Sequence, residues 1–158
     1  MNILNKYRTD GQGLHSFVDQ TDKKQYLYSQ FEVDNCHFVM PVFDQPDIRA
    51  AWTFRTIYPT DWVVISNENS RVYTQAEHKL LNSDLVSISK LYGITFDPST
   101  YKSAFFHETP KISTYLYGIV AGPYGFYEFK NTKGDGLPPM KIYARQSLMK
   151  SVLHEDLF

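Results

Sequence analysis

Residues 26–54 read YLYSQFEVDNCHFVMPVFDQPDIRAAWTF, and the reading of this stretch decides the fold. From Tyr26 to Glu32 the side chains alternate. A strand's period of two sets Tyr28, Gln30 and Glu32 on one face and Leu27 and Phe31 on the other. Val39 to Phe43 is a second apolar run, and Pro41 inside it marks an edge or bulged strand, because proline cannot donate to a ladder. Asp44-Gln45-Pro46-Asp47 is a turn, with proline fixing one backbone angle and the acids able to bond nearby amides. Beyond it Ala50, Trp52 and Phe54 alternate again. The stretch predicts a sheet with a Gln30/Glu32 pair standing side by side on it.

Outward from this centre the signals remain those of strands. Residues 2–13 are polar with little periodicity, Leu14 to Val18 is a short strand, and Asp19 to Lys24 is a charged turn. Trp62 to Ser66 reads as a strand and residues 67–70 as a turn. Thr74-Gln75-Ala76-Glu77 has the form of a capping box, followed at helical spacing by Leu81, Leu85, Ile88 and Tyr92 and stopped by Gly93. This predicts a helical insertion over about residues 74–92, divided at Asn82-Ser83-Asp84. Residues 101–106 and 112–121 are predicted strands on either side of Pro110, and residues 125–130 and 141–145 a further pair across a turn-rich loop. Ser147 could cap a final helix. The fold predicted is mainly β: a curved antiparallel sheet or incomplete, saddle-like β-sandwich with one helical insertion.

Composition narrows the function classes. A chain of 158 residues suits one domain. Aromatic residues make up 16%, twelve of them tyrosine, which favours strands. A net charge of −1 gives no reason to expect nucleic acid as a partner. The single cysteine, Cys36, rules out an internal disulfide and a cysteine-based metal cluster. Met1 to Arg8 lacks the apolar core of a signal peptide, and no stretch is apolar over the length a membrane span needs. A cytoplasmic protein with no membrane-spanning segment is the expectation.

Four motifs in order carry a family resemblance: Ser29-Gln30-Phe31-Glu32, Phe43-Asp44-Gln45-Pro46-Asp47 with Trp52-Thr53-Phe54, residues 61–67 (DWVVISN), and residues 109–116 (TPKISTYL). Together they resemble the amino-terminal domain of the aminopeptidase N (gluzincin) family of zinc metalloaminopeptidases. The resemblance covers roughly residues 13–158 and is poor between Arg71 and Phe105, so the 74–92 segment reads as an insertion in a loop between strands. It implies that residues 1–145 are part of that domain, lacking its leading strands, and that residues 146–158 begin the link to a missing catalytic domain. It also implies that Gln30 and Glu32 line the substrate pocket, with Glu32 anchoring the free amino terminus of a peptide. A cis peptide between Glu32 and Val33 is a further implication. Read without the family, the same pair is the solvent face of a half-buried sheet.

The hydrolytic residues are not in this sequence. The family's zinc site needs His-Glu-x-x-His on a helix, and the nearest string, His154-Glu155-Asp156-Leu157-Phe158, ends in phenylalanine where the second histidine belongs. His15, His37, His78 and His107 are scattered. The chain alone is therefore expected to hold no catalytic residue and no metal, and to cleave nothing, the zinc belonging to a parent enzyme. Two readings result. In one, the chain is the substrate-gating part of an aminopeptidase, with peptide amino termini and the catalytic domain as partners. In the other, it is a stand-alone β-domain that binds a ligand or partner.

Overall fold

The computed structural model describes residues 5–72, 86–87, 89–93, 99–129 and 138–152. Eleven strands are defined among them: Gly13–Val18 (β1), Gln25–Gln30 (β2), Arg49–Ala50 (β3), Phe54–Pro59 (β4), Val63–Ser66 (β5), Ser70–Val72 (β6), Tyr101–Phe106 (β7), Ile112–Ser113 (β8), Ile119–Gly122 (β9), Gly125–Phe129 (β10) and Met140–Ala144 (β11). Single 3-10 turns occupy Cys36–Phe38, Thr114–Leu116 and Gln146–Ser151. Every ladder between these strands is antiparallel, and the molecule is mainly β, as predicted.

Four strands form one sheet in the order β1-β2-β9-β5, and three form another in the order β4-β7-β6. Leu27, Ala121 and Val64 lie opposite one another across β2, β9 and β5, so their side chains share a face. That face meets Tyr58, Ala104 and Phe106 of the second sheet in one buried cluster. Leu27 thus takes the inward face that alternation assigns it, while Tyr26 on the opposite face is fully buried as well.

Several sequence expectations are corrected. Residues 39–43 form no strand. The chain makes the Cys36–Phe38 turn and then runs irregularly through Pro41, whose missing N–H makes it a poor ladder residue. The predicted strand over residues 112–121 is two short strands separated by the Thr114–Leu116 turn. Ser70, read as the last residue of a turn, instead begins the strand Ser70–Val72, which pairs with β7. Ser147 caps no described helix and lies within the Gln146–Ser151 turn. Of the predicted insertion, residues 86–87 and 89–92 are helical, while the capping box, Leu81, Leu85 and Ile88 lie outside the described residues.

The turn between β1 and β2 holds the residues that follow β11. Asp19 Oδ1 accepts the amides of Thr21 and Asp22 at 2.7 and 3.3 Å, which shapes the turn. Its other oxygen accepts Arg145 Nη1 at 2.7 Å and Ser147 Oγ at 2.8 Å. Tyr26 donates to Asp22 at 2.6 Å and accepts the Gln146 amide at 3.1 Å. Gly122 sits against this tyrosine with φ +154°, and a Cβ built there would lie 2.9 Å from Tyr26 Cδ1 and 3.3 Å from the Gln25 carbonyl oxygen.

At the opposite end of β2, segments far apart in sequence are stitched together by side-chain bonds. Ser29 Oγ accepts the Ile119 amide at 2.8 Å. Asn67 Oδ1 accepts the Gly118 amide at 2.7 Å, and its Nδ2 donates to the Leu116 carbonyl at 2.8 Å. Trp52 N donates to Thr109 Oγ1 at 3.1 Å, and β3 pairs with β8. Asp44, its side chain only 6% exposed, accepts Thr114 Oγ1 at 2.5 Å and the His37 amide at 2.8 Å. All four motifs meet here, around a second buried cluster of Phe31, Cys36, Tyr117 and Ile119.

Burial pushes the Asp44 carboxyl up, but the bonds from Thr114 and from His37 outweigh it and hold the group below its ordinary value. A carboxyl depressed in the folded state contributes stability above its unfolded pKa of about 4, and that contribution is lost as the pH falls through the folded value. Asp44→Ala should accordingly lower the unfolding free energy at neutral pH by about 1.5–3 kcal/mol in urea titrations. Asp44→Asn should flatten the acid limb of stability against pH below about pH 4. At the other end of β2, Gly122→Ala should cost about 1–3 kcal/mol by the same titration, since alanine meets both a disfavoured φ and the Tyr26 ring.

Candidate functional site

Gln30 is the last residue of β2, paired across the ladder with Gly13. Phe31 follows, 1% exposed, its ring in the second core cluster. Glu32 then opens a turn over residues 32–35, and the Glu32–Val33 peptide is cis, as the family resemblance implies. Asn35 closes the turn: its amide bonds the Phe31 carbonyl at 2.9 Å and its Nδ2 the Glu32 carbonyl at 2.7 Å. The predicted strand therefore stops at Gln30, and period-two alternation does not carry the face to Glu32. The peptide backbone turns there because Asn35 takes both carbonyls that a further ladder would have used.

Gln30 and Glu32 are both exposed, on either side of a buried aromatic anchor. Among the described residues the side chains of Gln30 and Glu32 make no hydrogen bond with each other or with another group, so an amide and a carboxylate face solvent. A carboxylate offers two acceptor oxygens and an amide one, a set that matches the three donors of an ammonium group.

Around the same motif cluster lies apolar surface. Phe43 is 81% exposed, and Val33, Ile48, Tyr115 and Leu116 are exposed as well. Phe43 and Ile48, with Val42 and Trp52, line a shallow cavity of about 310 Å³. Sequence reading does not locate this surface, because it places Val42 and Phe43 in an edge or bulged strand; Pro41, the reason for that reading, instead marks a segment outside any ladder.

The remaining reactive groups near the turn have structural roles. Cys36 is fully buried, and desolvation, helped by the nearby Asp44 charge, pushes its thiol up to about 12, so it stays protonated and unreactive. His37 Nδ1 contacts the Asp34 carbonyl and lies 3.3 Å from Asp44 Oδ2. His15 Nδ1 accepts the Gly11 amide at 2.9 Å. His78 and His154 lie outside the described residues. Among the described residues no three His, Cys, Asp or Glu side chains stand together as metal ligands. No helix among them is long and apolar enough to cross a membrane.

Comparison with known proteins agrees with this layout. Residues 1–90 match the family described as the peptidase M1 N-terminal domain. Aminopeptidase N of Streptomyces lividans is 31% identical over 153 residues, covering 96% of this chain and 15% of that protein. Aminopeptidase N of Acetobacter pasteurianus is 28% identical over 129 residues, covering 80% of this chain and 29% of that protein. Aminopeptidase Ey of Gallus gallus is 24% identical over 117 residues, covering 74% of this chain and 10% of that protein. The chain thus spans less than a third of the length of each of these relatives. A family match over residues 1–90, in a chain whose strands gather all four motifs at one end, assigns the chain to the peptidase M1 N-terminal domain family.

Proposed function

We propose that this chain is the substrate-gating, amino-terminal part of a zinc metalloaminopeptidase, and that Gln30 and Glu32 receive the free amino terminus of the peptide. The observation that carries this reading is the exposed, unpartnered Gln30/Glu32 pair, held in place by the buried Phe31 between them. When a catalytic domain covers this end, water is excluded and the carboxylate becomes the ammonium's charge-assisted partner. The apolar residues around the pair supply the surface such a cover would bury. In this reading the zinc and its ligands belong to polypeptide outside this chain, and the chain gates and orients without performing hydrolysis.

The test is kinetic, in a polypeptide that carries this segment together with a His-Glu-x-x-His helix. Glu32→Ala should raise KM for a free-amine peptide substrate by one to two powers of ten, since losing a charge-assisted partner costs about 1.5–3 kcal/mol. The melting temperature should barely move, because the side chain is exposed. Gln30→Ala removes a neutral partner and should cost about 0.5–1.5 kcal/mol. Unchanged Michaelis constants in both variants would return the pair to the role of a solvated strand end.

A further inference from the structure

The two core clusters do not close on each other. Between the four-stranded and three-stranded sheets lies a cavity of about 520 Å³, lined by Leu27, Val64 and Ala121 from one sheet and by Phe54 and Tyr58 from the other. Leu14 and Phe54 pack against both clusters and also face this cavity, which marks it as the gap where the two clusters meet. Tyr7, more than half exposed, stands at its rim.

We infer that this cavity is a binding site for a small, uncharged, largely apolar molecule bearing one polar group. Three features carry the inference. The volume falls in the range of small-molecule sites, about 300–1,000 Å³. No Asp, Glu, Lys, Arg or His is among the described residues on its wall, so a charged ligand would lose its hydration without gaining a partner. The wall does hold polar atoms. Gln25 spends its Nε2 on Ser16 Oγ at 2.8 Å, which leaves its amide oxygen as an acceptor, and Thr56 adds a hydroxyl. The cavity opens to solvent where Tyr7 and Gln25 are exposed, and the apolar side chains along its floor, Leu27, Val64 and Ala121, would gain dispersion contacts from an occupant. The site is separate from Gln30 and Glu32, neither of which lines it, and does not depend on the aminopeptidase reading.

The experiment titrates the purified chain with N-phenyl-1-naphthylamine, a neutral probe that fluoresces in apolar surroundings. The expected result is saturable binding of one probe per chain, with a melting temperature that rises with probe concentration. Ala121→Phe, which adds a ring inside the cavity, should weaken binding by about tenfold or more. Thr56→Phe, at a half-buried wall position, should do the same and decides the matter if Ala121→Phe does not fold. Phe43→Ser, in the separate exposed patch, should leave binding unchanged. Absence of saturable binding to the wild-type chain would overturn the inference. So would undiminished binding by a folded cavity-filling variant, or loss of binding in Phe43→Ser alone.

Discussion

The carboxylate of Asp44 is the constraint on which one whole end of the molecule depends. A nearly buried charge is tolerated only when its lone pairs are occupied. Here the occupants come from opposite directions: the Thr114 hydroxyl from a turn 70 residues onward, and the His37 amide from the turn just before. Satisfying that one group fixes the Cys36–Phe38 turn against the Thr114–Leu116 turn. The short β3–β8 ladder and the bond from Ser113 to the Pro46 carbonyl then hold the chain just after Asp44 against the residues just before Thr114. Hydrogen bonding prevails over desolvation at this carboxyl, so the arrangement persists at neutral pH with the charge in place.

What this framework supports is a short polar edge on a rigid base. Phe31 and Tyr117 are buried together behind the turn, and Trp52 stacks on Tyr117 with ring centroids 4.8 Å apart. In front stand Gln30 and Glu32, exposed and without partners among the described residues. Only the backbone beneath the pair is held; the exposed side chains keep the rotamer freedom that an ordered contact would cost. The apolar surface nearby, with Phe43 81% exposed, is of the kind that partners cover. By contrast the exposed Lys141–Glu128 pair, 3.5 Å apart at the β10–β11 ladder, contributes little, because water and salt screen it.

The two ends of β2 therefore do different work. At one end Tyr26, Asp19 and Asp22 fasten the turn that follows β11, through bonds to Arg145, Gln146 and Ser147. At the other end the strand stops at Gln30 and hands over to a turn whose carbonyls are claimed by Asn35. Between them Leu27 enters the core shared by the two sheets. One strand thus joins the clasp near the chain's last described residues to the polar edge.

Much of this was written in local patterns. Apolar and aromatic runs in residues 26–30, 63–66 and 101–106 determined strands, and alternation from Tyr26 onward gave Leu27 its inward face, because such patterns need only neighbouring residues. The four motifs in their order determined the family, and with it the cis peptide at Glu32–Val33. Tertiary structure decided the rest. Val39 to Phe43 looks like a strand by composition, yet no partner ladder reaches it, and Phe43 ends up on the surface. Residues 112–121 look continuous, but the Thr114 hydroxyl is spent on Asp44 and the chain turns there instead. The meeting of all four motifs at one end rests on hydrogen bonds between residues 49 to 90 positions apart. No local periodicity records such contacts, because they exist only once the sheets have formed.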